Sequence, residues 1–168
     1  MRKVLIIDDE PAIAEFVAAV VESELGFAPI VACSEETALE FLESFDYALV
    51  ISDTLSFKPH LPAERGGDRW AWLDRLAQKL ETVCPGVSLL MMTAYPSEIY
   101  KDYAAHGLKG LISKPFDLRE VLREVREALV TSPNLGQEEP SFPVTSFTAR
   151  KPAAFLRLEY STFNQFAL

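Results

Sequence analysis

Short apolar runs alternate with amphipathic stretches over the first 130 residues. The runs are Val4–Ile7, Pro29–Ala32, Ala48–Ile51, Val87–Met92 and Leu108–Ile112. They do not alternate apolar with polar, which predicts parallel strands covered on both faces. Between them lie helical patterns. Ile13, Phe16, Val17 and Val20 recur at helical spacing after Pro11, an early-helix residue, and Ser34 is placed to cap a second helix whose first turn holds Glu35 and Glu36. A third helix carries Leu73, Leu76, Ala77 and Leu80, and a fourth, short one is expected from about Pro96 to Ala105. The fifth places Leu118, Val121, Leu122, Val125 and Leu129 on one face after Asp117, with Glu120 three residues on in a capping-box pattern. Five strand-helix units in strict alternation predict an α/β fold, an open parallel sheet with helices on both faces. Residues 131–168 break the alternation: a Pro- and Ser-rich linker leads to an aromatic end, FLRLEYSTFNQFAL.

Functional residues of such sheets collect beyond the carboxyl ends of the strands. Asp8 and Asp9 follow the first strand, Asp53 the third, Thr93 the fourth, and Lys114-Pro115 the fifth. Each has a bland reading by itself. Asp8-Asp9-Glu10 suits a helix cap, Asp53 a loop carboxylate, Thr93 a turn hydroxyl and Lys114 a solvated cation. Their convergence on one sheet edge outweighs those readings. Hard carboxylate oxygens suit a divalent cation such as Mg2+. A hydroxyl and an ammonium suit the equatorial oxygens of a phosphoryl group, and one carboxylate would then be its nucleophilic acceptor.

VLIIDDEP, the strand ending in Asp53, MMTAY and LISKPF, in that order, resemble the receiver domain of two-component response regulators over residues 2 to about 130. The resemblance implies a flavodoxin-like, doubly wound (βα)5 sheet of strand order 2-1-3-4-5, as in single-domain chemotaxis regulators, with a C-terminal extension. It implies Asp53 as phosphoacceptor, with Mg2+ held by Asp8, Asp9, Asp53 and the backbone carbonyl of Leu55. Thr93 becomes the switch hydroxyl, Lys114 its ion-pair partner, and the Lys114-Pro115 bond is expected to be cis. The phosphoryl donor would be a histidine kinase or a histidine phosphotransfer protein. Output would pass through protein contacts, with a homodimer through the fourth-helix, fifth-strand and fifth-helix face or the tail as one candidate. The expected domains are a receiver over 1–130 and a linker with an aromatic tail over 131–168. That tail is too short and too weakly basic for a DNA-binding output.

The chain has 168 residues and a net charge of -9, and residues 1–130 carry all of the excess, 13 Lys and Arg against 22 Asp and Glu. An acidic body argues against direct nucleic-acid binding. No apolar run reaches membrane-spanning length, and the N-terminus, which enters a strand at once, is not expected to be a signal peptide. Cys33 and Cys84 lack metal or redox spacing, are read as small buried hydrophobes, and fit a cytoplasmic protein.

Several positions depart from the family pattern. Leu111 stands where a switch aromatic is usual, and Tyr95 is a candidate substitute. The stretch between Asp53 and Gly67, with Lys58, His60 and Arg65, is about five residues longer than the family's usual loop and reads first as a tolerated insertion. Leu55 and Tyr95 flank the expected path of hydrolytic water without a group to orient it, which predicts slow self-dephosphorylation. Trp70 and Trp72 read as core margin, with Trp72 as a candidate seat for the tail.

Other classes fit less well. An aspartate-nucleophile phosphohydrolase needs a second aspartate where Leu55 stands, and a binding module that has lost phosphorylation would not need the intact acidic set. The first strand lacks the glycine-rich turn of a nicotinamide site, and Asp8-Asp9 would repel a pyrophosphate there.

Overall fold

Each apolar run becomes a strand within a residue or two of its expected ends in a computed structural model that describes residues 2–54, 70–96 and 103–130. The strands are β1 (Lys3–Ile7), β2 (Ala28–Ala32), β3 (Tyr47–Asp53), β4 (Ser88–Thr93) and β5 (Gly110–Ser113). All pairings are parallel, and the order is β2-β1-β3-β4-β5. This is the expected flavodoxin-like, doubly wound sheet. Side chains of β1, β3 and β4 alternate between two buried clusters, one on each face.

Helices α1 (Pro11–Leu25) and α4 (Leu118–Val130, the fifth helical segment of the sequence) cover one face. Helices α2 (Glu35–Ser44) and α3 (Ala71–Val83) cover the other. Of the expected fourth helix, residues 97–102 lie outside the described residues, and Tyr103–His106 form a 3-10 turn. The extended loop, with Leu55, Lys58, His60 and Arg65, and the tail at 131–168 also lie outside them. No helix among the described residues is long and apolar enough to cross a membrane.

The local signals act as expected. Pro11 opens α1, and Ser34 Oγ accepts from Thr37 N at 3.2 Å. Asp117 Oδ1 accepts from Arg119 N at 2.8 Å and Glu120 N at 3.0 Å. Gly26 ends α1 at φ 69°, where its N–H reaches back to Glu22 O, a left-handed cap that favours glycine.

Tertiary contacts correct four readings. In α1 the buried face is Ala14, Val17, Val20 and Val21, while Phe16 is 37% exposed and packs against Phe116 with ring centroids 6.1 Å apart. Small Ala14 meets the sheet and the bulky ring moves to the flank. At the sheet edge, β2 is half-buried at every position except Ala32. Cys33, which follows that edge strand, is exposed, whereas Cys84 is buried. Trp72 is fully buried within the α2/α3 cluster, not at its margin.

Candidate functional site

The parallel sheet brings the ends of β1 and β3 side by side, so Asp8, Asp9 and Asp53 meet above the same edge. One carboxylate oxygen from each lies within 4.8 Å of the others. Asp8 is fully buried, and its Oδ1 accepts from Glu10 N at 2.9 Å. That bond lies inside the turn, and Glu10 at the helix N-cap makes no side-chain cap bond. Helix capping therefore does not account for Asp8 or Glu10.

Lys114 enters the cluster from the end of β5. Its Nζ lies 2.7 Å from Asp8 Oδ2, 3.1 Å from Asp53 Oδ1 and 3.6 Å from Glu10 Oε1. Its backbone N–H donates to Thr93 O at 2.7 Å, which ties the β5 exit to the β4 exit. The Lys114-Pro115 bond is cis, as expected. Thr93 is fully buried, and its Oγ1 accepts from Tyr95 N at 3.0 Å. Asp8, Asp9, Asp53 and Lys114 thus meet through their side chains, while Thr93 joins Lys114 through the main chain. Leu111, half-buried on β5, packs against the α2/α3 cluster.

Burial pushes the Asp8 carboxyl above its ordinary value, and neighbouring Asp53 adds to this against the pull of Lys114 and Glu10 N. Burial alone would depress the Lys114 ammonium. The charge of Asp53, with the bond and charge of Asp8, outweighs burial and holds it above the usual lysine range. Lys114 is therefore a fixed cation facing several carboxylates. The surplus of hard anionic oxygens over the Lys114 ammonium fits a divalent cation such as Mg2+.

Sequence reasoning missed three contributors. Glu10 adds a carboxylate near Lys114. Ser52 and Trp72 form a buried polar link behind Asp53: Trp72 Nε1 donates to Ser52 Oγ at 2.9 Å, and Ser52 Oγ donates to Asp53 O at 2.9 Å. The available signal was a serine hydroxyl between the apolar run of β3 and Asp53.

A family model described as the response regulator receiver domain matches residues 4–126. Among solved structures, the chain is similar to a receiver domain protein of Methanospirillum hungatei JF-1, at 27% identity and a TM-score of 0.59, covering 77% of this chain and 94% of that one. It is also similar to the response regulator TrrA of Thermotoga maritima, solved in complex with Mg(2+)-BeF, at 26% identity, a TM-score of 0.57, and 77% and 100% coverage. The receiver domain of NtrX from Brucella abortus shares the fold at 24% identity and a TM-score of 0.61, over 77% of this chain and 99% of that one. No curated protein matches the chain in sequence.

Proposed function

The chain belongs to the response regulator receiver domain family, and from that premise we propose that Asp53 accepts a phosphoryl group from a histidine kinase or a histidine phosphotransfer protein. The observation that carries this reading is the junction of Asp8, Asp9 and Asp53 with Lys114 at one sheet edge. An Asp53 carboxylate oxygen attacks phosphorus, the bond from phosphorus to the donor histidine nitrogen breaks with its electron pair leaving on nitrogen, and an acyl phosphate forms. Lys114 holds fixed positive charge beside Asp53, where phosphoryl charge arrives, and the Thr93 hydroxyl offers a hydrogen bond once it turns from Tyr95 N.

Asp8, Asp9 and Asp53 would hold Mg2+, with the Leu55 carbonyl as a further ligand. When bound, the ion supplies positive charge against the phosphoryl oxygens. The Mg(2+)-BeF complex of the Thermotoga relative supports this assignment. The chain acts as a phosphoacceptor switch, not as an enzyme on a separate substrate. Residues 1–130 are the receiver, and 131–168 a linker and tail without an output domain. The phosphorylated form signals in the cytoplasm by protein contacts.

Incubation with a small phosphodonor and Mg2+, followed by intact-mass measurement, tests the reading. Wild type should gain one phosphate and Asp53→Asn none. A wild type that gains nothing with any donor would overturn it.

A further inference from the structure

Ser52 and Asp53 are adjacent on β3, so their side chains leave opposite faces of the sheet. Asp53 faces Lys114, while Ser52 reaches into the layer of α2 and α3 and meets Trp72. Ser52 and Trp72 are both fully buried.

The two hydrogen bonds have only one consistent direction. An indole N–H donates and does not accept, so the Ser52 hydroxyl must receive it on oxygen. The hydroxyl's single proton is then free to point at Asp53 O, and it does. Each bond polarises the next in a site that excludes water. The oxygen at the end of this chain belongs to the peptide that leaves Asp53. Its plane sets the backbone from which the carboxylate is presented to Asp8, Asp9 and Lys114.

We infer that Ser52 and Trp72 are positioning residues for phosphoryl acceptance: Trp72 orients the Ser52 hydroxyl, which pins the main-chain carbonyl of Asp53. This rests on the reading of Asp53 as acceptor. A tryptophan that only filled the core would need no bond to the residue preceding Asp53. Misplacement of a nucleophile by a fraction of an ångström slows attack without altering the groups that carry it.

The test uses the full chain with phosphoramidate at saturating Mg2+, following phosphate uptake by intact mass, with circular dichroism to show that each variant is folded. Ser52→Ala removes both bonds and should slow uptake roughly five- to ten-fold, the scale of one to two lost hydrogen bonds. Trp72→Phe leaves the hydroxyl but frees it to rotate, and should give a smaller loss. Ser52→Thr, which keeps the hydroxyl, should restore a rate near wild type. Folded Ser52→Ala that takes up phosphate at the wild-type rate overturns the inference. So does Ser52→Thr as slow as Ser52→Ala, since packing alone would then explain the loss. If Ser52→Ala does not fold, Trp72→Phe decides by the same criterion. A wild type that takes up no phosphate refutes the acceptor reading, and this one with it.

Discussion

Asp8→Asn should stabilise the metal-free protein at neutral pH and remove its response to magnesium. Asp8 is fully buried with its carboxyl raised above 3.8, first by burial. A raised folded value contributes stability that is present below pH 3.8 and lost as pH rises through that folded value, so ionised Asp8 is a liability at pH 7. With an oxygen within 4.8 Å, Asp53 repels it by at least about 3.5 kcal/mol at an effective dielectric constant of about 20. Lys114 at 2.7 Å returns about 6 kcal/mol on the same scale. Asp53 therefore offsets more than half of the Lys114 attraction, and desolvation, the largest cause, decides the sign.

Asparagine keeps an oxygen for Glu10 N, and Lys114 keeps Asp53 at 3.1 Å, so no charge is left alone. The expected gain is about 1–3 kcal/mol, smaller than the Coulomb terms because desolvation is only partly relieved. Urea unfolding followed by circular dichroism, in a chelator and in magnesium, measures it. At ten times its dissociation constant, magnesium should add about 1.4 kcal/mol to wild type and nothing to Asp8→Asn. If Asp8→Asn is less stable than wild type in the chelator, the Lys114 pair outweighs desolvation and the reasoning fails.

Burial, and secondarily Cys84, push Tyr47 up to about 12, so its contribution is intact below pH 10.0 and lost as pH rises from there to about 12. Wild type should lose about 1.4 kcal/mol per pH unit in that window, and Tyr47→Phe should show a flatter alkaline limb in urea titrations. A Cβ on Gly110 would meet Leu90 Cδ2 at 2.8 Å and Glu124 Oε2 at 3.0 Å, so Gly110→Ala should lower stability by about 1–3 kcal/mol, and an unchanged urea midpoint would contradict this. Phosphorylated wild type should lose its phosphate slowly, because Leu55 and Tyr95 offer no carboxylate or amide to orient water. A lifetime of seconds at neutral pH, followed by intact mass, would rule that out.

Chain order and local chemistry suffice for much of the fold and site. Five apolar runs in alternation with helices imply a parallel sheet, and a parallel sheet puts every strand's carboxyl end on one edge. Asp8, Asp9, Asp53, Thr93 and Lys114 were legible for that reason, without knowledge of a single contact. The Ser34 and Asp117 caps were legible because their partners lie two or three residues away. Other features follow from which surface each element meets, and packing alone sets those. A shift of one residue turns a helix by about 100°, so spacing alone predicts Ile13 and Phe16 on the covered stripe of α1, whereas packing keeps Val17 and Val20 there and adds Ala14 and Val21. An apolar run predicts cover on both faces, but the edge position leaves most of β2 half-buried and Cys33 beyond it exposed. Ser52 and Trp72 are 20 residues apart, and only the packing of α3 on β3 brings an indole N–H to the hydroxyl behind Asp53.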